Sequence, residues 1–181
     1  MVLPLIGKKK LTHQQLANIF VNTMIEVVEN GFKEVAELIN EDVSFEKRPH
    51  LSTTEYEHFL LIVTVGNLKF LSHHFDAEQS EAIENSIIEK FSSAFGLTEI
   101  EFNQLIKDYE SFISRVNHPS KNILYGMSKA VFHKYELHHY QQEHFKKLKT
   151  PNPIFLKRMD EVMSNFLWDW DAFSKKYKLS V

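Results

Sequence analysis

Between Phe59 and Val65 the chain reads Phe-Leu-Leu-Ile-Val-Thr-Val, and this run constrains the fold more than any other feature. On a helical wheel it covers every side rather than one stripe, so such a helix belongs either inside a domain or within a membrane. A membrane span needs about 18 or more uninterrupted apolar residues, and Gly66, Asn67 and Lys69 arrive too soon for that. The segment from about 53 to 75 is therefore expected to be a buried central helix. Its β-branched content leaves a strand over residues 62 to 65 as the minor alternative.

Five further segments carry a helix start followed by 3.6-residue periodicity. Thr12 with Gln15 opens the first, Asp76 with Gln79 the third and Thr98 with Glu101 the fourth, each with the spacing of a capping box. Ser52 with Glu55, or Thr54 with Glu57, offers the same start to the second. Gly96 has the position of a C-terminal glycine, and Asn152 followed by Pro153 is an N-cap with proline at the first helical position. The fifth segment is expected over about 120 to 149 and the sixth over about 152 to 177. With five glycines, five prolines and almost no hairpin dipeptides, the pattern predicts an all-α, single-domain bundle of about six helices over residues 1–181. Residues 1–11 are expected to be a flexible leading segment, and the order of apolar patch then lysines is the reverse of a secretory signal, which points to the cytoplasm.

The chain has no cysteine, so thiolate nucleophiles, zinc thiolate sites and iron–sulfur clusters are excluded. Any metal must rest on His, Asp and Glu. In ferritin-like bundles, Glu-x-x-His pairs on facing helices hold two metal ions. Glu55 with His58 and Glu136 with His139 fit that spacing, and Glu143 lies on the flank of His139. With ten histidines in the chain, about one such pair is expected by chance. A divalent metal such as iron, manganese or zinc is thus the alternative to a protein with no cofactor.

No nucleophile elbow, phosphate loop or dinucleotide fingerprint is present. Asn67 within the apolar helix reads as a polar bridge to another helix, because buried polar groups must be paired. A second alternative is a pocket for an apolar small molecule lined by Asn67, Phe70, His73, His74, Tyr109, Tyr135 and His138, although His138 continues an apolar stripe and fits a core position. Charge is segregated: residues 11 to 110 are strongly acidic, whereas 111 to 181 carry a basic excess that includes Lys146, Lys147, Lys149, Lys157 and Arg158. Trp168 falls about 160° from the apolar stripe of its segment. Together these residues make a candidate surface for a partner protein or a second copy of the chain. The acidic faces of segments three and four argue against nucleic acid. The leading expectation is a non-catalytic interaction or regulatory module.

Overall fold

The computed structural model describes residues 8–179. Among them are eight α-helices: α1 (His13–Glu41), α2 (Glu57–Lys69), α3 (Ala77–Phe95), α4 (Glu99–Asn117), α5 (Ile123–Lys134), α6 (Glu143–Leu148), α7 (Pro153–Ser164) and α8 (Trp170–Lys176). Short 3₁₀ turns cover Leu71–His73 and Leu137–Tyr140. The only sheet among the described residues is a parallel pair, β1 (Lys9–Leu11) with β2 (Tyr177–Leu179). The expected flexibility of the leading segment lies outside the described residues for 1–7, but residues 9–11 are paired rather than free. The described residues are thus mostly helical, as the all-α expectation requires in its coarser form. None of the helices in the described residues is long and apolar enough to cross a membrane.

Helix starts follow the local code. Thr12 and Thr98 form full capping boxes with Gln15 and Glu101, Asp76 accepts from the Gln79 N–H, and Asn152 accepts from the Ile154 N–H ahead of α7. Gly96 ends α3 at φ 67°, in the left-handed region that glycine enters without steric cost. The helix α2 is the exception, since neither Ser52 nor Thr54 caps it. It begins at Glu57 after Tyr56, with no side-chain cap of its own chain segment.

Nine of the thirteen α2 residues are buried, and α1, α4 and α5 pack around it. Burial is shared with α1, which places ten residues in the same core. Gly66 permits a close approach in this packing: a Cβ there would clash with the Met127 sulfur.

The expected six helices become eight because segments five and six each break. Segment five stops at Lys134, and Glu136 turns the chain at φ 52°. The break delivers Leu137 to the core at 1% exposure, and it places His138, expected in the core, on the surface. It also brings Gln141 to a buried position where its side chain donates to Thr150 O (3.1 Å) and accepts from Asn152 N (2.7 Å). Segment six stops at Ser164 and restarts at Trp170.

The second break is held by Asn67, which is fully buried in α2. Its Nδ2 donates to Phe166 O and Val63 O, both at 2.9 Å, and its Oδ1 accepts from Trp168 N at 2.6 Å. Its backbone carbonyl accepts from the Trp170 indole at 3.3 Å. One amide thus supplies the partners that a broken helix leaves open. Replacing Asn67 by Ala strands at least two buried backbone groups, each costing about 1–3 kcal/mol. Asn67→Ala is expected to lose roughly 3 kcal/mol or more of stability in chemical denaturation, and Asn67→Leu, which fills the space, is expected to recover little of it.

Candidate functional site

A polar cleft of about 730 Å³ opens where the start of α2 meets the end of α5. Its walls come from the loop at 49–52, the approach to α2 through Glu55, Glu57 and His58, and the chain reversal from His133 to Leu137. Two non-glycine residues stand in the left-handed region on its rim, His50 at φ 59° and Glu136 at φ 52°. Such backbone costs on the order of 1–3 kcal/mol and persists only where surrounding structure imposes it.

Tyr135 imposes the geometry. Its hydroxyl donates to Glu55 O at 2.8 Å and accepts from Phe59 N at 3.1 Å, so α5 supplies the capping group that α2 lacks. Burial, the main cause, makes this hydroxyl harder to ionise than an ordinary tyrosine. The ring stacks on Phe32 of α1 at 5.8 Å, which ties the cleft to the core.

His58 faces Tyr135 edge-on and shares a hydrogen bond between its Nδ1 and the Tyr109 hydroxyl of α4. Burial raises the Tyr109 pKa to about 12, so this hydroxyl stays neutral. The Lys134 ammonium lies 4.2 Å from the Tyr109 ring centre and 4.6 Å from that of Phe112. His58 is held below the ordinary histidine range by burial and then by the Lys134 charge, with Glu57 and Glu55 partly opposing. Burial, followed by Arg115, lowers the Lys134 pKa as well. The side chains of Glu55, Glu57 and Glu136 are exposed and make no hydrogen bond or ion pair among the described residues.

The sequence-derived metal set is divided by this geometry. Glu55, His58 and Glu136 do line one cleft, but His139 lies in a neighbouring cleft and Glu143 opens α6. Glu136 and His139 are not on one helical face, because Glu136 is the left-handed turn and His139 sits in the 3₁₀ segment that follows. Among the described residues no three His, Asp or Glu side chains form a group that could hold a metal ion.

The apolar-pocket set is also dispersed. Tyr135 lines the cleft and Tyr109 is bonded to its His58, Asn67 is consumed by its bonds to 166–168, and His138 is exposed next to His139. Phe70, His73 and His74 lie beyond the far end of α2, roughly 18 Å along the axis from His58, where His74 contacts Asp171 at 3.1 Å.

Of the partner-surface residues, Lys147, Lys149 and Lys157 are exposed and Lys146 is partly so. Arg158 is instead bound to the buried Asp42 at 2.8 Å. Burial alone would raise the Asp42 pKa, but bonds from Ser44 and Arg158 outweigh it and hold the carboxyl low. Trp168 is half-buried between Phe20 and Phe173 rather than outlying, and its indole N–H is buried without a partner among the described residues. His50 and Lys134 were not singled out by sequence, and Glu57 was read only as a capping partner of Thr54; His133 and Lys134 occupy the last turn of α5, and the stop at Tyr135 turns them toward the α2 start.

A histidine whose folded pKa is lowered binds fewer protons than in the unfolded chain, so its contribution to stability declines as pH falls through about 6.5 toward the folded value. Denaturation at pH 7.5 and 5.8 is expected to show a smaller acid-induced loss for His58→Gln than for the wild-type chain; equal losses would remove His58 from the account. No family model, curated protein or solved structure matches the chain, so the reading of function rests on these residues.

Proposed function

We propose that the chain is a soluble, cytoplasmic, non-catalytic interaction module, and that the cleft between α2 and α5 receives a basic segment of a partner protein. The observation that carries this reading is the set of three exposed, unengaged carboxylates, Glu55, Glu57 and Glu136, around one open polar cleft. They are too dispersed for a metal ion but suit ammonium or guanidinium groups spaced along an extended segment. The surrounding acidic excess of residues 11 to 110 would favour encounter with such a partner.

Catalysis finds less support in the same place. The Tyr135 hydroxyl is engaged on both sides, and the Tyr109 hydroxyl is neutral and bonded to His58. An apolar ligand is disfavoured by the charged lining.

Peptides bearing two or three lysines or arginines are the direct probe. Saturable binding to the wild-type chain is expected, weakening as salt is raised, with at least a tenfold loss in the Glu55→Lys/Glu57→Lys double variant. Binding that is absent, or unchanged in that variant, overturns the reading. A metal-dependent enzyme on Glu55, His58, Glu136, His139 and Glu143 is the second reading, favoured by the shared cleft of the first three. Elemental analysis and titration with iron, manganese and zinc separate the two: no stoichiometric metal is expected, and one bound equivalent lost in Glu136→Ala would replace the interaction reading.

A further inference from the structure

A second cleft, of about 540 Å³, lies on the other side of the chain reversal that ends α5. It is lined by Phe132 and Phe145 together with His133, His138, His139, Lys146 and Lys149, and by no acidic residue. Among the described residues neither lysine has an ion pair: the carboxylate closest by sequence, Glu143, lies 3.9 Å from Lys147 instead. The three histidine rings make no hydrogen bond among the described residues, and those of His138 and His139 sit with centres 3.9 Å apart. Lys149 is held at φ 52°, the third non-glycine residue in the left-handed region, and it closes α6 against this cleft.

We propose that this cleft is a binding site for a small molecule with an aromatic or planar apolar body and a phosphate, sulfate or carboxylate group. Five potentially cationic side chains converge on one opening whose lining holds no carboxylate, Glu136 acting on His138 from outside it, and a bound anion would supply the missing charge. The Phe145 ring, half-buried beside them, offers a surface for the apolar body. The site is separate from the acidic cleft, which it meets only at His133.

Proton linkage gives the site a recognisable behaviour. His133 is held below the ordinary range by burial, then by His138 and Lys129. His138 is lowered by burial and His139, against the opposing charge of Glu136. An anion bound among these rings and the ammonium groups of Lys146 and Lys149 favours their protonated forms, so binding strengthens as pH falls.

Phenyl sulfate is a suitable probe because its charge is constant from pH 8 to pH 6. Titration of the full chain at low salt, followed by amide and histidine-ring NMR shifts, is expected to give saturable binding that is at least tenfold tighter at pH 6 than at pH 8. Phenol, which lacks the anion, and inorganic sulfate, which lacks the ring, are each expected to bind at least tenfold more weakly. Lys146→Gln/Lys149→Gln changes two surface side chains and leaves the core intact; it is expected to lose tenfold or more of the affinity. Glu57→Lys, which alters the acidic cleft alone, is expected to leave it unchanged, so failure of one site is distinguishable from failure of the other. Non-saturating shifts, pH-independent affinity, or equal binding by the double lysine variant overturns the proposal.

Discussion

The amide of Asn67 joins three pieces of chain that no apolar contact could hold in register. Burying it without partners would cost several kcal/mol, yet in place it satisfies the carbonyl of Phe166 and the N–H of Trp168 while anchored on its own helix at Val63. The break between α7 and α8 is therefore compatible with a dry interior, and Trp170 can turn inward to 2% exposure against Phe20. Apolar packing sets how much surface is buried here, and the directional bonds of one polar residue decide which conformation of the 165–169 connection buries it.

The second break follows the same logic with different chemistry. Gln141 bonds to Thr150 and Asn152, and Tyr140 O accepts from Glu46 N at 2.8 Å, so the chain after α5 is fixed by contacts with distant loops. Tyr135, at the hinge of this reversal, caps α2 with its hydroxyl. Both clefts exist because α5 stops where it does: one opens toward the start of α2, the other toward α6.

Much of the fold was legible in the sequence wherever a short-range rule governs it. Thr12, Asp76, Thr98, Asn152 and Gly96 act on neighbours within five residues, and each occupies its expected cap position, Asp76 with only the forward half of its capping box. Asn67 could also be read as a bridge, since an amide inside an apolar run needs partners. The ends of α5 and α7 were not legible, because a favourable apolar stripe continues through both and tertiary capture overrides it. For the site, the pairing of Glu55 with His58 and the presence of Glu136 were visible, but the left-handed turn that takes Glu136 off the helical face of His139 was not. The bond of Arg158 to Asp42, 116 residues away, leaves no local trace.

The strands β1 and β2 run parallel, with Lys9 opposite Tyr177 and Leu11 opposite Leu179. Tension applied between Lys9 and Leu179 would therefore pull on opposite ends of the ribbon and load its hydrogen bonds together, in shear, instead of peeling them one at a time. With Lys8 also donating to Ser174 O at 2.8 Å, this small clasp would bear the load before any helix beneath it yields.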